Sequence, residues 1–99
     1  MAIDNIDSQD IVMGFEIDIG LTEGEESSRK EVALGILESL AIRADDLDKR
    51  DHGFIKVRNL LATHNYTHFD FDRGAYFIEE KGRVVLRVYQ QQSEESSNL

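Results

Sequence analysis

A chain of 99 residues with 40% hydrophobic content, no cysteine, no proline and a net charge of −9 suits a single small domain around one core. The composition excludes a disulfide framework and a thiolate metal site. No apolar run approaches the roughly 18 residues that a membrane-spanning helix needs, and no basic region followed by an apolar stretch marks a signal peptide, so the expectation is a soluble, cytoplasmic protein.

The charge is unevenly distributed. Residues 1–28 hold eight acids and no Lys or Arg, whereas residues 29–90 hold ten acids against all eleven bases; residues 91–99 add two acids. The acidity therefore belongs to an N-terminal segment and a tail, on either side of a nearly neutral middle. Such a segment repels nucleic acid and anionic lipid and attracts basic partners. The plain alternative is a solubilising arm.

Taken in order, residues 1–9 are polar, acidic and aperiodic, and are expected to be disordered. Ile11, Met13, Phe15, Ile17 and Ile19 then alternate with Val12, Gly14, Glu16 and Asp18. Period-two alternation predicts a strand, with Phe15 and Ile17 on the core beside Leu37 and Leu40. Residues 20–26 read as a charged loop. Ser28 with Glu31 matches a capping box and predicts a helix to about Ala44, with Val32/Ala33, Ile36/Leu37 and Leu40/Ala41 as its apolar stripe. Gly35 within that helix suggests a close packing approach. A brief extended stretch at 53–56 and a short helix at 57–64 follow.

The segment Tyr66 to Gln90 reads as a three-stranded meander. Its first strand sets Phe69 and Phe71 against His68, Asp70 and Asp72; its second is residues 75–79 and its third residues 83–89, with breaks at Arg73-Gly74 and Lys81-Gly82. A glycine at each break suits a hairpin position with positive φ. Residues 91–99 are expected to be a disordered tail. The predicted fold is thus α+β, a single domain over 10–90. It has a mostly antiparallel four-stranded sheet (the N-terminal strand plus the meander), with one main and one short helix on one face.

The stretch Gly53-Phe54-Ile55-Lys56-Val57-Arg58-Asn59-Leu60-Leu61, followed by a β-hairpin, resembles the last helix and wing of OST-HTH (LOTUS) winged-helix domains. It is also similar to the winged-helix part of RNA 2′-phosphotransferases. The resemblance covers residues 53–90 and implies a small module that binds RNA or protein. A winged helix has three helices and a two-stranded wing, whereas the elements read here give one clear helix before Gly53 and three closing strands.

Three sets of residues carry possible chemistry. His64, His68, Asp70 and Asp72 could hold a divalent metal in an enzyme, against the simpler reading that they line the solvent face of a half-buried strand. Arg73, Lys81, Arg83 and Arg87, with Tyr76 and Tyr89 nearby, could form a nucleic-acid surface. The alternative is that Arg83 and Arg87 pair across the sheet with Glu16 and Asp18. The third set is acidic: Glu16, Asp18, Glu23, Glu25 and Glu26. No nucleophile motif or glycine-rich phosphate loop is present.

The leading expectation is a non-enzymatic regulatory or inhibitory protein, without cofactor or metal, whose five acids bind a basic surface of another protein. In its sharpest form it is a nucleic-acid mimic. The long acidic segment disfavours direct nucleic-acid binding, and a monomer and a homodimer are equally compatible with the sequence. The competing expectations are a winged-helix-like nucleic-acid or protein-binding module, favoured if the four bases share one exposed face, and a metal-dependent enzyme.

Overall fold

The computed structural model describes residues 2–20 and 26–97, with side chains over 9–20 and 29–91. Among these residues the chain forms helices α1 (Ala2–Asp18), α2 (Glu26–Ile42) and α3 (His52–Thr63), a hairpin of β1 (Thr67–Asp70) and β2 (Ala75–Ile78), and helix α4 (Glu80–Ser97). The four-stranded sheet expected from the sequence is not formed. Four helices surround one two-stranded antiparallel sheet.

The first correction falls on α1. Ile11, Phe15 and Ile19 recur every fourth residue, so they share one side of a helix as readily as one face of a strand. Phe15 and Ile19 are fully buried, whereas Ile17, expected in the core, is 59% exposed. The second falls on residues 83–89, which run through α4. There Gly82, Val85, Leu86 and Val88 are buried at spacings of three, one and two along the inward side. With both of these segments helical, the sheet stops at two strands.

Gly82 does not make a turn. A methyl group there would meet the Tyr66 carbonyl oxygen at 2.5 Å, Ile78 at 2.9 Å and Leu37 at 3.0 Å. The glycine lets the first turn of α4 sit directly on the backbone that leads into β1. Gly74 behaves as expected: it takes φ +64 at the hairpin tip and donates to the Asp70 carbonyl at 2.8 Å. Gly35 is exposed with open space beyond it, so it mediates no close packing.

Helix ends are set locally. α2 starts at Glu26, which puts Ser28 inside the helix rather than at its cap. Arg29, in the first turn of α2, donates to the carbonyls of Ile19 and Gly20 at 3.1 and 3.3 Å, satisfying acceptors that the end of α1 leaves free. α3 is one continuous helix over His52–Thr63, including the part expected to be extended, because the Asp51 carboxylate accepts from Phe54 N–H at 3.0 Å as its N-cap. Asn65 ends it with φ +68, while Tyr66 N–H donates to Leu61 at 2.9 Å and Asn65 N–H to Ala62 at 3.1 Å. This Schellman-type reversal turns Tyr66 into the core.

α2 is the central element, packing against α3, α4 and β2 through Ala33, Ile36, Leu37 and Leu40; α1 packs against α4. Between α2 and α3, Asp45 pairs with Tyr76 through two backbone hydrogen bonds of 2.7 and 3.2 Å, tying that connection to the hairpin. α1 and α4 extend into the segments 1–9 and 91–99 expected to be disordered, reaching Ala2 and Ser97; Met1, Asn98 and Leu99 lie outside the described residues.

Candidate partner-binding surface

The inner side of α1 is an aromatic contact with acids on both flanks. Phe15 meets Tyr66 edge-on at 5.3 Å and Tyr89 at 5.9 Å between ring centroids, geometries favoured by the ring quadrupoles. One residue on, Glu16 accepts from the Tyr89 hydroxyl at 3.1 Å and lies 3.7 Å from Lys30, whose ammonium stands over the Tyr89 ring. Asp18 accepts from the Tyr66 hydroxyl at 2.5 Å, with His64 Nδ1 at 3.5 Å and Lys81 Nζ at 3.9 Å. Lys81 in turn donates to the His64 carbonyl at 2.8 Å and stands over the Tyr66 ring.

Glu16 and Asp18 are therefore anchors of α1. They pair with tyrosines and lysines, and not across a sheet with Arg83 and Arg87 as the strand reading had it. Burial, reinforced by the neighbouring carboxylate, pushes both tyrosine hydroxyls well above the ordinary tyrosine range. Near neutral pH they remain protonated donors, which suits holding a carboxylate and not exchanging protons with a substrate.

The outer side of α1 differs. Gln9 and Asp10 are exposed, and Met13 and Ile17 are each 59% exposed. Beside them a cleft of about 280 Å³, lined by Asp10, Gly14, Asp18, Tyr66, Lys81 and Val84, runs between α1 and α4. Of the remaining acids in the expected set, Glu23 and Glu25 lie outside the described residues; Glu26 opens α2, and its side chain lies outside them too.

The basic set is dispersed. Arg73 sits at the hairpin tip, 3.9 Å from Asp70 and over the Phe77 ring. Lys81 is in the first turn of α4 and engaged with Asp18, not at a hairpin tip. Arg83 and Arg87 share the solvent side of α4, beside Ala41 at the end of α2. The metal set is equally divided. His64 faces Asp18, His68 pairs with Glu79 and stacks on Phe77, and Asp70 accepts from the backbone N–H of Asp72 and Arg73 in the hairpin turn. Among the described residues no three His, Asp or Glu side chains lie close enough to share a metal ion.

A larger hollow, of about 530 Å³, separates α2 from residues 45–49 and Phe54. Asp45 lines it, and its carboxyl is held below the ordinary range chiefly by the Leu47 N–H it accepts at 3.2 Å. Met13 and Ile17 were missed as surface residues because alternation absorbed them into a strand face. The four-residue spacing of Ile11, Phe15 and Ile19 is the signal that separates the two sets. Comparison with protein-family models, curated proteins and solved structures returns no match to this chain.

Proposed function

We propose that this chain is a non-enzymatic acidic binding protein that regulates or inhibits another protein by engaging a basic surface on it, in the manner of a nucleic-acid mimic. One observation carries the reading: eight acids and no Lys or Arg over residues 1–28, a segment in which Phe15 and Ile19 are the fully buried ones among the described side chains, 9–20. A one-signed segment of this kind speeds encounter with a positively charged partner and repels nucleic acid.

The test is charge neutralisation at constant shape. Glu23→Gln, Glu25→Gln and Glu26→Gln remove three charges. A protein captured from the native host at low salt should associate more slowly with this triple variant, and the salt dependence of its association should flatten. Equal rates for parent and variant would reduce the segment to a solubilising arm.

A second reading, a winged-helix-like binding module, is favoured by one observation. Three helices precede a two-stranded antiparallel hairpin, the element counts that such a module has. The dispersal of Arg73, Lys81, Arg83 and Arg87 weighs against its nucleic-acid form, so under this reading the module binds protein.

A further inference from the structure

We infer that the outward side of α1 is a helix-docking seam, and that its occupant is a basic amphipathic helix of another protein. The inference rests on the acidic-binding reading above and names the chemistry of the partner.

α1 already satisfies its own domain. Phe15 and Ile19 are fully buried, with Ile11 and Val12 half-buried beside them. Met13 and Ile17 face the opposite way and contribute little to that core. In the sequence they end a longer series: Ile3, Ile6, Asp10, Met13 and Ile17 are spaced alternately by three and four residues along Ala2–Asp18. Such spacing sets residues along one side of a helix as the a and d positions of a coiled-coil seam. A helix of 17 residues rising about 1.5 Å per residue presents a seam about 25 Å long.

Charge selects the occupant. The charged residues of α1 are Asp4, Asp7, Asp10, Glu16 and Asp18, all negative. Asp10 stands at the centre of the seam. In an antiparallel pair of two copies centred on this position, Asp10 would face Asp10. That pairing brings two carboxylates together at the middle of an apolar contact and acidic flanks to either side. A helix with Arg or Lys opposite Asp10 and Lys along its flanks removes both penalties, and a central polar pair sets the register.

The cleft beside the seam fits the same chemistry. Gly14 leaves open space there, with nothing within 4 Å of where a side chain would begin. Val84 and Val85 supply an apolar wall, and Asp10 and Asp18 the negative end; Lys81 is already committed to Asp18 and the His64 carbonyl. A long aliphatic side chain with a cationic head would lie along Val84 and reach Asp10.

The experiment uses the full chain and two synthetic 18-residue peptides of identical composition, followed by fluorescence anisotropy. In one, Leu occupies the a and d positions, with Arg at the central a position and Lys on the flanks. In the other the same residues are scrambled around the helix. The seam peptide should bind about tenfold more tightly than the scrambled one, and Met13→Ser with Ile17→Ser should erase the preference. Asp10→Lys should weaken the seam peptide and favour a version carrying Asp at its centre, an exchange that keeps the test decisive if the double serine variant fails to fold. Equal binding of both peptides, an unaffected serine variant, or a dimer of the chain that Ile17→Ser dissolves would each overturn the inference. If both peptides bind alike and Glu23→Gln, Glu25→Gln and Glu26→Gln weaken both, the acidic reading stands and the seam falls. If the seam preference is intact and the triple variant binds as the parent does, the seam stands and Glu23, Glu25 and Glu26 have no part in binding. Failure of both peptides to bind overturns both.

Discussion

The Tyr66 hydroxyl donates a 2.5 Å hydrogen bond to the Asp18 carboxylate, joining positions 48 residues apart. The bond fastens the C-terminal end of α1 to the start of the hairpin, and Lys81 closes the same group from α4. Tyr66→Phe keeps the ring against Phe15 and removes only the donor. It should lower stability by about 1.5–3 kcal/mol, the range for hydrogen bonds to charged groups. Urea denaturation checks it; a change near zero would mean that Lys81 and His64 satisfy Asp18 alone.

Alkaline pH should act through the same contacts. Burial, aided by Asp18 and Glu16, raises the folded-state pKa of Tyr66 and Tyr89 above the unfolded value. A raised folded pKa means stability that is complete below the unfolded pKa of about 10 and is lost as pH rises through the folded value. Thermal midpoints should fall from about pH 10 upward, and the Tyr66→Phe, Tyr89→Phe double variant should show a shallower fall over the same range.

Phe15→Ala and Ile17→Ala separate the helix from a strand. Truncating the fully buried Phe15 should cost about 3–5 kcal/mol. Ile17→Ala, on the exposed side, should stay within about 0.5 kcal/mol. Comparable losses in denaturant unfolding would put both residues on one buried face and contradict α1.

Two glycines should respond oppositely to alanine. Gly82→Ala forces a methyl group against the Tyr66 carbonyl and Leu37, and overpacking of this kind costs about 1–3 kcal/mol. Gly35→Ala fills open space inside α2 and should gain about 0.5–1 kcal/mol from helix propensity. Calorimetric midpoints moving in the same direction would contradict the close approach of α4 to β1.

The sequence announced α2 and the hairpin turn at Gly74, and of α3 only the part from 57 onward, since 53–56 read as extended. Val32 to Leu40 carry a clear helical period and Gly74 is a strong local signal, whereas the Asp51 cap that starts α3 early sat in a run of charges and was passed over. Two elements misled it. Ile11, Met13, Phe15, Ile17 and Ile19 are two helical stripes interleaved, and over nine residues two such stripes look like one strand face. Val84, Val85 and Val88 favour strands by side-chain preference, which the burial of Val85 and Val88 in α4 overrides. The candidate site followed the same division. Glu16 and Asp18 were legible as charges, but their tyrosine partners lie 73 and 48 positions away, beyond any local pattern. The two histidines and two aspartates appeared as a cluster only while β1 was imagined as a longer strand.

The packing of α1 on α4 also orders events during synthesis. α1 is made before α4, yet its docking surface is assembled from Tyr66, Val85 and Tyr89. The 73-residue separation of Glu16 and Tyr89 makes this one of the longest closures in the chain, and such closures are slow because their entropy must be spent before the contact forms. Until α4 has left the ribosome, Phe15 lacks the Tyr89 ring it packs against, and α1 has its inner and outer apolar sides available at once. An early-made partner or chaperone would therefore meet two hydrophobic surfaces on the nascent chain where the finished protein offers one.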